Sequence, residues 1–197
     1  MFIYAVVHSI FATQNFKRWM RSRLGERTYE GLYRIGYNVF AVLTLLPISW
    51  LIVADPGSTL WRVEGVVLWV LLAIQAVGLI GFLLALVQID LGRFAGISQL
   101  RALLKGEALP LQDEGLQVHG VYALVRHPLY LFSLMLIWAL PIMTESTLAL
   151  NLAITLYFVV GSRLEERRMV ALFGQSYIEY QQRVPWLIPG LRWPYSV

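Results

Sequence analysis

The chain has 197 residues, which is enough for one domain, and it contains no cysteine. Hydrophobic residues make up 58% of it and charged residues only 14%, whereas a soluble domain carries about 25% charged residues. Because so little charge cannot cover a water-facing surface, the composition predicts an integral membrane protein. The absence of cysteine excludes disulfides, thiolate metal sites and a cysteine nucleophile. We therefore expect residues 1–197 to form a single membrane domain.

Five apolar segments are predicted membrane helices; because about 20 apolar residues are needed to cross a bilayer core, the first and the last two are short for a span. In chain order they are residues 1–13, 29–54, 64–89, 128 to about 142, and about 148–161. The last two form a short helical hairpin, and the second of them continues into water to Phe173, where Gly174 stops it. The predicted fold is all-α and integral to the membrane, with five transmembrane helices, this C-terminal hairpin and cytoplasmic amphipathic helices.

Polar connectors and small residues complete the predicted architecture. Residues 15–27 form a basic amphipathic connector, and residues 90–127 form a long loop with a short helix at 98–105. A further short helix is predicted at 176–184, before the prolines of the tail. Gly78 and Gly81 lie three residues apart in the third span, which predicts close approach of another helix.

The distribution of basic residues predicts the orientation of the chain. With five spans, every Lys and Arg except Arg62, that is 15 of 16, falls on one side of the membrane. Because cytoplasmic loops carry the Lys/Arg excess, the N-terminus is expected outside and the C-terminus in the cytoplasm. The net charge of +4 is thereby explained by membrane orientation, and nucleic acid is not an expected partner.

The segment from His119 to Tyr130 (HGVYALVRHPLY) is the first of two polar clusters that contain candidate binding or catalytic residues. Arg126 at a helix start opposes the helix dipole, so it calls for an anion, either a buried acid or a ligand carboxylate. Tyr122 and Tyr130 offer ring faces to a cation. The alternative is an interfacial belt, in which Arg and Tyr contact lipid headgroups. On these residues alone, both interpretations stand.

The second cluster, residues 163–168 (RLEERR), ends the last predicted span. Glu165 and Glu166 point in different directions on a helix, so one is expected to face the interior and the other to pair with Arg163 or Arg168. A solvated helix end with salt bridges is the competing interpretation. His8, His119 and His127 are candidate haem or metal ligands, but no pair has helical ligand spacing, and no metal site is predicted.

Taken together, the motifs resemble the isoprenylcysteine carboxyl methyltransferase superfamily, which includes phospholipid N-methyltransferases. The resemblance covers residues 116–190 and rests on a set of motifs in fixed order: Gly120-Val121-Tyr122, Arg126-His127-Pro128, Tyr130, Glu165-Glu166, Phe173-Gly174, Tyr177, Tyr180, Arg183-Val184-Pro185 and Pro189. The N-terminal half is similar to a bacterial branch with methanethiol S-methyltransferases and NnrU-like proteins. It matches there at His8-Ser9, Phe16-Lys17, Glu26-Arg27, Tyr29 and the loop containing Asp90, Phe94 and Gly96.

The resemblance implies a methyltransferase of the bacterial inner membrane that uses S-adenosylmethionine and releases S-adenosylhomocysteine. The cofactor-binding part would be about residues 89–190, facing the cytoplasm. The residues implied to line the cofactor are Val118, Gly120, Tyr122, His127, Tyr130 and Glu166. Arg126 would orient the substrate, with Glu165 and Arg163 as further catalytic candidates. The acceptor would be a small or lipophilic thiol, carboxylate or amine.

One position departs from the superfamily pattern, and two other functions remain open. Phe132 stands where the superfamily often has glycine, which argues against a bulky prenyl substrate. One alternative is a non-enzymatic NnrU-like accessory protein that binds haem or a redox partner, with His8 and His127 as candidate ligands. The other is a phospholipid N-methyltransferase. Membrane lipids are expected partners in every case.

Overall fold

The computed structural model describes residues 2–112 and 115–191, so Asp113 and Glu114 of the long loop lie outside the described residues. The elements in chain order are α1 (Phe2–Ala12), α2 (Gln14–Leu24), α3 (Glu26–Ala54), β1 (Thr59–Arg62), α4 (Gly65–Val87), α5 (Leu91–Ala95), α6 (Ile97–Lys105), a 3-10 helix (Gly120–Ala123), α7 (Pro128–Trp138), β2 (Ile142–Thr144), α8 (Glu145–Phe173) and α9 (Gln175–Arg183).

Three helices are long and apolar enough to cross a membrane: α3 with 29 residues, α4 with 23 and α8 with 29. Their apolar side chains are widely exposed, as at Val53 (81%) and Val66 (79%). Such exposure suits contact with lipid, because water would penalise it. The prediction of a helical membrane protein is confirmed, with three candidate spans.

The other two predicted spans correspond to α1 and α7, which have 11 residues each. A helix of that length extends only about 16 Å, half of a bilayer core of about 30 Å. The count of five spans and the C-terminal hairpin therefore stay predictions. The continuous helix ending at Phe173 and the short helices α6 and α9 agree with the sequence prediction.

Two short strands were not predicted from the sequence. β1 and β2 pair antiparallel, with Thr59 opposite Thr144 and Arg62 opposite Ile142. Beside them, Glu145 accepts a hydrogen bond from the backbone N–H of Ser58 (3.1 Å). Strands of three or four residues carry almost no periodic signal, so only the pairing reveals them.

The chain divides into two compact units. The first comprises Met1–Asp55 and Asp90–Glu114, and the second comprises Pro56–Ile89 and Gly115–Val197. In the first unit, the long loop folds back on α3. The backbone of Gly96 passes so close to Ile35 that no side chain fits at Gly96, and Asn38 Nδ2 donates to the Phe94 carbonyl (2.9 Å).

In the second unit, α4 packs tightly against α7. A side chain at Gly81 would begin only 2.3 Å from the Phe132 ring, and one at Gly78 would meet the Phe132 carbonyl at 3.2 Å. Gln75 Nε2, also on α4, donates to the Leu136 carbonyl (3.3 Å). The close approach predicted from Gly78 and Gly81 is confirmed, and its partner is α7.

We predict that Gly81→Val lowers the stability of the second unit by about 2 kcal/mol, because the new methyl groups would overlap the buried Phe132 ring. Gly161→Val is the matched control, since a side chain at Gly161 on α8 meets nothing within 4 Å. The thermal midpoint of each purified variant in detergent measures the difference. Equal midpoints for the two variants would contradict the packing of α4 on α7.

Candidate functional site

The start of α7 is held by the segment that follows α9. The backbone N–H of Arg126 donates to the Pro185 carbonyl (2.9 Å), and that of His127 donates to the Trp186 carbonyl (3.3 Å). Pro128 then opens the helix at a position where its missing N–H costs nothing. Two residues of the His119–Tyr130 segment are thus fixed by a part of the chain almost 60 residues away.

Arg126 makes the central contact of the site. Its Nε donates to Glu166 Oε1 at 2.6 Å, and its Nη1 donates to the carbonyls of Val184 (2.7 Å) and Gln181 (3.0 Å). The side chains of Arg126 and Glu166 are only 5% and 12% exposed. The acid that Arg126 was predicted to need is therefore Glu166, within the protein.

Glu166 is held by two further groups. His127 Nε2 lies 3.3 Å from Glu166 Oε1, and Gln181 Nε2 donates to Oε2 at 3.2 Å. A buried carboxylate with a guanidinium, an amide and an imidazole around it has both oxygens engaged, which offsets the cost of removing its charge from water. Glu166 is thus the interior member of the Glu165–Glu166 pair.

Glu165 faces a different environment. Its Oε2 accepts a hydrogen bond from the Tyr130 hydroxyl (3.0 Å) and lies 3.7 Å from His127 Nδ1. The Glu165 side chain is 37% exposed. Of the two carboxylates, Glu165 is therefore the one that a molecule from solvent can reach.

Aromatic rings form one wall beside Glu165. The rings of His127 and Tyr130 stack with an angle of 3° between their planes, and Tyr130 stacks on Phe158 at a centroid distance of 4.5 Å. Burial, followed by the negative charge of Glu165, raises the pKa of Tyr122 to about 12. Tyr122 therefore stays a neutral phenol near Glu165 and cannot act as a base at ordinary pH.

Helix α9 supports the 3-10 helix that carries Tyr122. The Tyr180 hydroxyl donates to the Tyr122 carbonyl at 2.5 Å. Tyr177 and Tyr180 are both buried, and burial raises the pKa of each phenol well above its usual value. They stay protonated, so Tyr180 remains a permanent donor to this turn.

Gly120 and Val118 come earlier in the chain than the residues that contact Glu165 and Glu166. Gly120 has φ +59°, and a side chain there would collide with the Gln88 amide at 2.4 Å. Gln88 Oε1 in turn accepts a long hydrogen bond from Gln117 Nε2 (3.5 Å). Val118 is half-buried in the irregular segment that precedes the 3-10 helix.

Arg163 lies at the edge of the cluster. Its guanidinium is 4.5 Å from the centroid of the Trp186 ring, and the indole Nε1 donates to the buried Ser162 Oγ (3.2 Å). Arg163 and Ser162, neighbours on α8, therefore both contact Trp186. This arrangement ties the segment after α9 to α8.

Five of the predicted site residues thus share one connected set of contacts: Arg126, His127, Tyr130, Glu165 and Glu166. Tyr122 is held separately by Tyr180 and feels the charge of Glu165. Arg163 joins this set through Trp186, while Val118 and Gly120 belong to the segment leading in. Gln181, Gln88 and Phe158 were not predicted from the sequence, because an isolated amide or an apolar ring carries no distinguishing signal. Among the described residues, no group of three or more His, Asp or Glu side chains is arranged to hold a metal ion.

We predict that Glu166→Gln destabilises the protein by about 3 kcal/mol, because it leaves the buried Arg126 cation without its counter-charge. The same change at the neighbouring, partly exposed Glu165 should cost about 1 kcal/mol or less. Thermal midpoints in detergent compare the two variants. A larger loss for Glu165→Gln than for Glu166→Gln would show that the ion pair does not anchor the site.

The fold and site define a helical membrane protein in which a buried Arg–Glu ion pair supports a partly exposed carboxylate beside aromatic rings. The family model described as "NnrU protein" matches residues 1–189, and the chain belongs to this family. The family expectation drawn from the sequence motifs is thereby confirmed.

Curated relatives are similar over nearly the whole chain. Methanethiol S-methyltransferase 2 of Bradyrhizobium diazoefficiens is 31% identical over 97% of this chain and 71% of its own. Methanethiol S-methyltransferase 1 of the same organism is 35% identical over 98% of this chain and 65% of its own. The methanethiol S-methyltransferase of Pseudomonas deceptionensis is 33% identical over 96% and 70%. The chain thus spans about two thirds of these relatives' length, and no solved structure matches it.

Proposed function

We propose that this protein is an S-adenosylmethionine-dependent methyltransferase that methylates the sulfur of a small thiol such as methanethiol. The observation that carries the proposal is the difference in pairing and exposure between the two adjacent carboxylates. Glu166 is neutralised by the buried Arg126, whereas Glu165 is partly exposed beside stacked rings. The names of the curated relatives support the choice of reaction and acceptor.

The residues of the site fit a sulfonium cofactor. A sulfonium is a cation, and it is attracted both by a carboxylate and by the faces of aromatic rings. Glu165 supplies the charge, and Tyr130 and Tyr122 supply the rings, with neutral phenols that do not compete as anions. When bound, the cofactor supplies an activated methyl group; Tyr122, Tyr130, Glu165 and the imidazole of His127 would hold it.

One of the protein's own residues then receives the proton that the thiol loses. The bound cofactor would supply its methyl group to the acceptor sulfur and would leave as a neutral thioether, and a thiol acceptor would lose one proton. We assign that proton to Glu165, whose exposed carboxylate is the base next to the aromatic wall. In-line transfer mainly requires positioning and exclusion of water.

Arg126 and Arg163 act as positioning residues in this proposal, and neither contacts the reacting atoms. The Nε and Nη1 groups of Arg126 are engaged by Glu166 and by backbone carbonyls, so their donors are directed into the protein. Arg163 holds Trp186, and through it the segment that supports Arg126. We further propose one domain with five spans in the inner membrane, with its N-terminus outside and the site in the cytoplasm.

The direct test is turnover of S-adenosylmethionine and methanethiol by the purified protein, followed as dimethyl sulfide in the headspace. Glu165→Gln should lower kcat/KM by roughly 100-fold, because it removes both the charge that attracts the sulfonium and the proton acceptor. Glu179→Gln, an exposed acid on α9, is the matched control and should keep full activity. Calorimetric titration with S-adenosylhomocysteine measures cofactor binding separately.

Several outcomes would overturn the proposal. Absence of S-adenosylhomocysteine binding by folded protein would rule out the cofactor. Binding with methyl transfer to a carboxylate, an amine or a phospholipid, but not to methanethiol, would rule out the acceptor class alone. Equal activity of Glu165→Gln and Glu179→Gln would rule out the role of Glu165.

A further inference from the structure

The first half of α3 and the segments that pack against it carry a surplus of positive charge. Residues 14–40 and 90–112 contain nine Lys and Arg against four Asp and Glu, a surplus of five positive charges. Asp113 and Glu114, which follow in the chain, reduce it to three. The surplus lies in the first unit, which contains none of the residues of the proposed methyl-transfer site, so that function does not explain it.

Tertiary contacts bring these basic segments together. The Leu103 side chain of α6 lies against Gly31 of α3, so closely that no side chain fits at Gly31. Arg34 Nη1 donates to the Arg93 carbonyl at the end of α5 (3.2 Å). Nη2 of Arg27 lies 4.0 Å from the position that a Cβ atom would occupy at Gly106. Arg27 of α3 thus lies beside the end of α6, and Arg34 of α3 lies beside α5.

The carboxylates of this region are already engaged in ion pairs. Arg21 contacts both Glu26 (3.1 Å) and Glu30 (2.6 Å), Arg93 contacts Asp90 (3.3 Å), and Lys105 contacts Glu107 (3.8 Å). Further arginines are exposed on the same elements. We call them the basic collar: Arg18, Arg23, Arg27, Arg34 and Arg101. Like charges grouped in this way repel one another unless an anion lies between them.

Exposed apolar side chains accompany the basic collar. On α2, Trp19 is 51% exposed and Leu24 40%, and on α5 and α6, Phe94 is 55% exposed and Leu104 77%. Short amphipathic helices that combine Lys and Arg with Trp, Phe and Leu lie in the membrane interface, with the apolar groups among acyl chains. Insertion of these Trp and Leu side chains among acyl chains would bring the arginines to the depth of lipid headgroups.

We propose that the basic collar binds the phosphate groups of anionic phospholipids. The planar guanidinium matches a phosphate with two parallel hydrogen bonds, and arginine is weakly hydrated, so it suits an interface better than lysine. Each basic residue at an anionic membrane surface strengthens binding roughly fivefold. The negative charge of such lipids also offsets the repulsion among the five arginines. This surface is a lipid site independent of the proposed methyl transfer.

Native mass spectrometry of the full chain in detergent tests the proposal, with phosphatidylglycerol and phosphatidylcholine as the added lipids. Wild-type protein should retain phosphatidylglycerol at least about tenfold better than phosphatidylcholine. Arg18→Gln/Arg23→Gln/Arg27→Gln should lose most of that preference. Arg62→Gln in β1, an exposed arginine of the second unit, is the matched control and should keep it.

A second variant guards against a folding defect in the first. Arg34→Gln/Arg101→Gln removes collar charges from α3 and α6 without touching α2, and it should weaken the preference by about tenfold or more. Each variant should elute from size exclusion as the wild type does. Equal retention of the two lipids by wild-type protein would overturn the proposal, as would an undiminished preference in both folded collar variants. Displacement of phosphatidylglycerol by an equal concentration of inorganic phosphate would also overturn it, since it would indicate a free-anion site.

Discussion

The ion pair between Arg126 and Glu166 is the constraint on which the second unit depends. Both side chains are almost fully buried and 2.6 Å apart. Two such charges removed from water are tolerated only when the geometry is close and the remaining polar atoms are satisfied. The carbonyls of Gln181 and Val184, the Gln181 amide and His127 meet that requirement. One pair thus joins the start of α7, the last third of α8 and the end of α9.

The position of Glu165 follows from that anchoring. Successive residues of a helix point in directions about 100° apart, so fixing Glu166 inward turns Glu165 toward Tyr130 and solvent. The same turn of α8 therefore carries a structural carboxylate and an accessible one. The buried Glu166 thus sets the direction of the accessible Glu165, the charged group at the surface of the site.

Elsewhere in the chain, the close approach of one segment to another requires glycine. Gly81 and Gly78 allow α7 to approach α4, and Gly31 and Gly96 allow the long loop to return to α3. Apolar side chains face outward along α3 and α4 and gain nothing from packing against one another in lipid. Close contacts of small residues and interhelical hydrogen bonds such as Gln75 to Leu136 therefore hold these elements in register.

The sequence by itself determined the helical membrane class, the long helices α3, α4 and α8, the end of α8 at Gly174, and the candidate residues around Arg126 and Glu165. These follow from local rules of hydropathy, helix termination and motif spacing. Only the tertiary structure decided that Arg126 pairs with Glu166, that Glu165 meets Tyr130, and that Gln181 and Trp186 complete the arrangement. Residues 39 and 40 positions apart, such as His127 and Arg126 with Glu166, meet only when helices pack, and hydropathy does not encode which side chains face each other. The two-stranded β1–β2 pairing escaped sequence analysis for the same reason, because its stability lies in contacts between distant segments.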